Sequence, residues 1–166
     1  IIPEGTYIPV FIDINDLQKQ FDILPTRKKS NKIKILHSPS GKLTKGSIHI
    51  IQALDVIQKK YPDKVELILP NAHDYVYALT RYELLSEMKN ADIVIDQVLI
   101  GWYGLKAIEA LMAGCKVICY MDDTLSEHQF ADTPIVNANA LNLSEILICE
   151  IENILINRAL ECEKNN

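Results

Sequence analysis

Two short apolar runs, Ile93 to Ile95 and Val117 to Tyr120, bracket a loop and a helix within residues 92–120. Neither run alternates with polar residues, as expected of strands covered on both faces in a parallel sheet. Between them stand Gly101-Trp102-Tyr103-Gly104, then Leu105 to Ala113 as a helix, with Gly114 as the natural residue just past its end. This order puts a helix N-terminus and a carboxylate, Glu109, at the carboxyl edge of the sheet. Doubly wound folds bind nucleotides at that edge. The stretch therefore bears on function as well as on fold.

The rest of the chain repeats the alternation of strand and helix. Residues 7–14 read as a short edge strand and lead-in, because Pro9 is awkward in a central ladder. Residues 22–32 form a polar, basic connector, and residues 33–37 a strand that Ser38-Pro39-Ser40-Gly41 stops. A helix begins near Thr44 to Ser47, carries Ile48, Ile51, Leu54 and Ile57 at helical spacing, and ends before Pro62. Val65 to Leu69 is the next strand. Asp74 caps a helical region reaching Asn90 in one piece or two. Pro134-Ile135-Val136 is a last short strand. Asn142, with Glu145 three residues on, reads as the cap of a long helix to about Cys162. The pattern predicts one α/β domain over residues 1–166, Rossmann-like and doubly wound, with a mainly parallel sheet flanked by helices.

Composition narrows the function classes. At 166 residues, 48% of them hydrophobic and 23% charged, the chain can bury an ordinary core. A net charge of −5 and the lack of a dominant basic patch count against nucleic acid or an anionic membrane as the main partner. Arg27, Lys28, Lys29, Lys32 and Lys34 read as a solvated linker beside a strand. Cys115, Cys119, Cys149 and Cys162 show neither CxxC spacing nor a His partner at zinc spacing, so a reduced, cytoplasmic compartment is the simplest reading and no metal is expected. The sequence holds no membrane span and no signal peptide. It opens on Ile1-Ile2-Pro3 without Met, which reads as a piece excised from a longer protein.

Several residues could carry chemistry at the carboxyl edge. Ser40, Gly41, Lys42 and Lys45 lie in the turn after the first parallel strand, where amides, hydroxyls and ammonium groups would suit a diphosphate. The plain alternative is a polar loop with surface lysines. Neither GxxxxGK[ST] nor GxGxxG is present. Amides near Tyr103, Gly104 and Leu105 could also face an anion, and Gly101 and Gly104 allow close backbone approach. Trp102 and Tyr103 either stack on a ring and shape a sugar pocket, or pack over the sheet edge. Glu109, in an otherwise apolar helix, costs free energy unless it is paired, bound to something such as a ribose diol, or turned to solvent. His37 ends its strand beside the phosphate loop, as a structural group or part of the sugar pocket. Asp96 and Gln97 point at the cleft, Asp96 as a catalytic group, a sugar-hydroxyl contact or a turn cap. His49, His73 and His128 have no partner at catalytic or metal spacing.

The order of these motifs resembles the C-terminal, donor-binding half of a GT-B glycosyltransferase. More narrowly it is similar to the bacterial group 1, family four, retaining transferases of polysaccharide and glycoconjugate assembly. The likeness rests on Lys45-Gly46 opening the first helix, Ala91-Asp92-Ile93-Val94-Ile95 as the strand, and Gly104 through Gly114 before Val117-Ile118. The opening Ile1-Ile2-Pro3, followed by Ile12-Asp13, is similar to the segment entering that half.

This resemblance implies that Lys45 neutralises the diphosphate of a UDP- or GDP-linked sugar, with Lys42 near the place of a family arginine. It implies that Glu109 is the second glutamate of the Glu-seven-residues-Glu motif and holds the ribose. The first glutamate falls at Gly101, where Asp96, Gln97 or the Trp102-Tyr103 pair would have to substitute. Leaving-group charge would be stabilised by lysines and helix amides, with no metal or other cofactor. The acceptor site would belong to a missing N-terminal half, and a membrane would be met only through that half or a lipid-linked acceptor. Two other readings stand beside this one. The first is a degenerate transferase half that binds a sugar nucleotide without turnover. The second is a receiver-like signalling domain, which lacks the acidic cluster expected after the first strand.

Overall fold

Five parallel strands form the centre of the protein. They are β1 (Ile33–Leu36), β2 (Val65–Ile68), β3 (Ile93–Ile95), β4 (Lys116–Cys119) and β5 (Val136–Asn137), in the spatial order β2-β1-β3-β4-β5. The computed structural model describes residues 12–27, 30–70, 79–123 and 133–164. Among the described residues, six helices flank the sheet: α1 (Ile14–Asp22), α2 (Lys42–Lys45), α3 (Ser47–Lys60), α4 (Arg81–Asn90), α5 (Leu105–Met112) and α6 (Leu143–Lys164). The fold is α/β, Rossmann-like and doubly wound. Among the described residues, no helix is long and apolar enough to cross a membrane.

Period-two alternation divides the strands between two cores. Ile33, Ile35, Ile93, Ile95 and Ile118 face one side, against Ile50, Leu54 and Ile57 of α3 and Leu143, Leu147 and Ile151 of α6. Leu36, Val94, Val117 and Cys119 face the other, against Leu17 and Phe21 of α1, Leu85 and Met88 of α4, and Ala107 and Ala110 of α5. Each buried branched side chain stabilises the fold by roughly 1.5–3 kcal/mol. Register is direct, with Ile35 opposite Ile93 and Val94 opposite Val117. Burial pushes the Cys115 and Cys119 thiols up to about 12, so both remain protonated wall groups.

The chain leaves β1 toward the face of α3 and leaves β3 toward the opposite face of α5. Adjacent strands whose following loops part in this way open a crevice at their carboxyl ends, the topological switch point.

One local reading is corrected and two are refined. Ile14 opens a helix rather than closing an edge strand. The Asp13 carboxylate accepts the Asp16 N–H at 3.0 Å, and Leu17 and Phe21, one turn apart, are buried. Residues 7–11 of that expected strand lie outside the described residues, as do His73, Asp74 and His128. The helix expected to begin near Thr44 to Ser47 begins at Ser47, and Gly46, with φ +74°, sets it off from the single turn α2.

Asn142 precedes α6 as expected, with its carbonyl taking the Ile146 N–H at 3.1 Å, but its side chain pairs back with Asn139 rather than with Glu145. The Asn139 carbonyl takes the Leu143 N–H at 3.1 Å. Its side-chain oxygen takes the N–H groups of Leu141 and Asn142 at 2.9 and 3.3 Å, and the Asn142 side chain returns a bond to the Asn139 N–H at 2.9 Å. Two short amides thus close a capping box that Ser or Thr with Glu more often forms.

The basic connector is tied down at the opposite edge of the sheet. Asp92 pairs with Arg27 and with Arg158 of α6, the latter at 2.7 Å, and accepts the Lys34 N–H at 2.8 Å. Asp92→Ala should lower stability by about 2 kcal/mol, read from urea denaturation midpoints. The expected loss is moderate because both arginines can turn to water. No loss would mean that the cluster contributes nothing measurable.

Candidate functional site

Two loops meet at the switch point, one after β1 and one after β3, and the backbone joins them. The Val98 N–H donates to the Lys45 carbonyl at 3.1 Å. Gly46 makes this approach possible, since a Cβ there would lie 2.7 Å from Val98 Cγ2 and 2.9 Å from Leu99 Cγ.

Lys45 and Asp96 face each other across this junction. Lys45 Nζ is 2.6 Å from Asp96 Oδ1, and the Asp96 side chain is wholly buried. Asp96 Oδ2 accepts the Gly104 N–H at 3.1 Å, at the N-terminus of α5. One carboxylate therefore occupies both the lysine and the helix-terminal amide proposed for a phosphate. Lys42 and Gly41 are partly exposed on the same loop and Ser40 is exposed. Lys42 lies three residues from Lys45, on the same side of the single turn α2.

Lys106, on the first turn of α5, was not anticipated by sequence reasoning. Its ammonium donates to the Ser38 carbonyl, bridging the two loops from the α5 side. Burial lowers its pKa; Asp96 opposes that shift and Lys45 adds to it. Position within the Gly104 to Gly114 motif could have raised Lys106, but nothing local shows that it reaches the first loop.

His37 is completely buried beneath the pair. Its Nδ1 lies 2.9 Å from the Ile95 carbonyl and its Nε2 lies 2.9 Å from Ser47 Oγ. A carbonyl only accepts, so Nδ1 carries the proton and the serine hydroxyl donates to Nε2. Burial lowers its pKa to about 4, with the nearby Lys106 and Lys45 charges adding to the effect. Both ring nitrogens work inside the fold, and no surface of the ring is open to a sugar.

Gln97 is likewise consumed internally. Its amide nitrogen donates to the carbonyls of Trp102 and Tyr120 at 3.0 and 2.6 Å, and its oxygen accepts the N–H groups of Leu99 and Ile100 at 2.8 and 2.7 Å. This one side chain shapes the loop from 97 to 102.

Gly101 adopts φ +83°, and a Cβ there would come 3.2 Å from Asp122 Cβ. Its carbonyl accepts the Asp122 N–H at 2.9 Å. The backbone at the place of the first family glutamate is thus built for glycine, and a carboxylate would meet both strain and Asp122. Trp102 and Tyr103 stack at 5.1 Å between centroids and are partly buried, while Leu105 is exposed. Tyr103 packs on the α1/α4/α5 side of the core.

Glu109 is only 6% exposed, one turn into α5. Arg81 Nη1, at the start of α4, lies 2.6 Å from its Oε1, and Arg81 Nε donates to Gln20 of α1 at 3.1 Å. Arg81, which is half-exposed, was also missed. It stands 28 residues from Glu109, and only the packing of α4 beside α5 joins them.

Among the described residues, no group of three or more His, Cys, Asp or Glu side chains could hold a metal ion. The structure brings Lys45, Asp96, Gly104, Lys106 and His37 to one crevice, with Glu109 and Arg81 farther along α5. The chain matches no model of a known protein family, and a search of curated proteins gives no match either.

Proposed function

We propose that this chain is the donor-binding half of a glycosyltransferase, taking a UDP- or GDP-linked sugar for transfer, with retention, to a glycan or glycoconjugate acceptor. The observation that carries the reading is the convergence of Lys45, Lys106 and the amide end of α5 at the β1/β3 switch point. Glu109 supports it, as a buried carboxylate in an apolar helix with one oxygen not held by Arg81. A ribose diol offers two donors to such a group. The lysines and amides would stabilise charge developing on the diphosphate leaving group without a metal. The acceptor and the remaining catalytic groups belong to an N-terminal half, so the isolated chain turns over little. The protein acts in the cytoplasm and meets a membrane only through that half or a lipid-linked acceptor.

A specific observation favours a second reading, a sugar-nucleotide-binding module without turnover. At Gly101, with φ +83°, a side chain in the place of the family's first glutamate would be strained, and both Asp96 and Gln97 are engaged within the fold.

Calorimetric titration with UDP and GDP tests the common core of both readings. One nucleotide should bind, and Glu109→Ala should weaken it about tenfold, the loss of a charge-assisted hydrogen bond. Failure of both nucleotides to bind would remove both readings. Donor hydrolysis by the full-length protein, lost in Glu109→Ala, would select the enzyme. Donor binding without any consumption would select the module.

A further inference from the structure

We infer that Asp96 is a built-in counter-anion, a specificity-determining residue that holds the anion position of this crevice with the chain's own carboxylate. The inference rests on the nucleotide-binding reading and adds to it what sets the affinity.

The backbone of Asp96 is fixed at the end of β3, where its N–H donates to the Ile118 carbonyl at 3.0 Å. The side chain is buried, and its two oxygens meet an ammonium and a helix-terminal amide. Those are the two donor types that an anion at the carboxyl edge would use. The Lys45 side chain keeps 13% exposure, so the pair touches solvent on the lysine side. A Cβ at Gly104 would lie 3.6 Å from Asp96 Oδ2 and 3.7 Å from Lys45 Nζ. Gly104 itself adds no side chain to that flank of the pair.

Charge decides the consequence. Among the described residues, Lys45 and Lys106 reach the crevice, with Lys42 on the same loop, and Asp96 pairs with Lys45. A diphosphate that reaches Lys45 and the α5 amide meets the carboxylate already held there. It must therefore share Lys45 with Asp96 at close range and low effective dielectric, where like-charge repulsion is strong. The crevice is thus set to bind diphosphates weakly and to release them.

Asp96→Asn keeps the size and one acceptor while removing the charge. Wild type and variant are titrated with inorganic pyrophosphate, UDP and GDP at low salt. Asp96→Asn should bind pyrophosphate at least about tenfold tighter, with a gain that shrinks as salt is raised. If Asp96 serves only to position Lys45, the variant binds equally or more weakly. That result, with a nucleotide still bound by the wild type, overturns the counter-anion and leaves the nucleotide site standing. No nucleotide bound by either protein overturns both. If Asp96→Asn does not fold, Lys45→Met is compared with Lys45→Met/Asp96→Asn. The double variant should then bind pyrophosphate at least about tenfold tighter than the single one, and the absence of a gain overturns the proposal.

Discussion

Lys45→Ala is expected to lower stability by about 3–5 kcal/mol, because it strands a wholly buried carboxylate without its cation. The Gly104 N–H would still donate to Asp96, and one amide does not replace an ammonium at 2.6 Å. Urea denaturation measures the loss. Removing Asp96 as well should recover most of it, since the penalty belongs to the orphaned charge rather than to the missing lysine stem. A loss below about 1 kcal/mol for Lys45→Ala would mean that water reaches Asp96 freely, which its complete burial argues against.

Stability should fall as pH drops from about 6.5 toward 4, by about 3 kcal/mol from His37 alone. The sign follows from which state takes the proton. In the folded protein the ring stays neutral down to about 4, while in the unfolded chain it protonates near 6.5. Across that window the unfolded state binds more protons, so acid favours it. The contribution is fully present above the unfolded value and gone below the folded one. Carboxylates also weaken the fold in acid, so the comparison is made against His37→Gln. That variant should be less stable than wild type at pH 7.5 and show a shallower loss between pH 7 and 4. An unchanged slope would place the His37 ring in water.

Much of the fold was legible in the sequence. Ile93-Val94-Ile95 and Val117-Ile118-Cys119 carry no polar alternation because both faces of each strand are covered, and that signal is local. Gly114 stops α5 at φ +83°, and its residue type alone predicted the stop. Helix α1 was missed because its buried apolar repeat is only Leu17 and Phe21, and Tyr7 to Ile14 competes with it as a strand-like run. The Asn139–Asn142 pairing was missed because Glu145, three residues on, competes with Asn139 as the partner of Asn142. Only the backbone path distinguishes them.

The residues of the crevice divide in the same way. That Lys45, Asp96, Gly104 and Glu109 lie at the carboxyl edge follows from their places in strand–loop–helix units, which the sequence determines by itself. Whom they touch does not. Asp96 takes Lys45 from 51 residues away, Glu109 takes Arg81 from 28, and Lys106 takes Ser38 from 68. Those partners depend on β1 lying beside β3 and α4 beside α5. The chain sets periodicity within a few residues, because rotation per residue is a property of the backbone. Ion pairs act over a few ångströms of space, and only the packed order of the strands brings such distant groups that close.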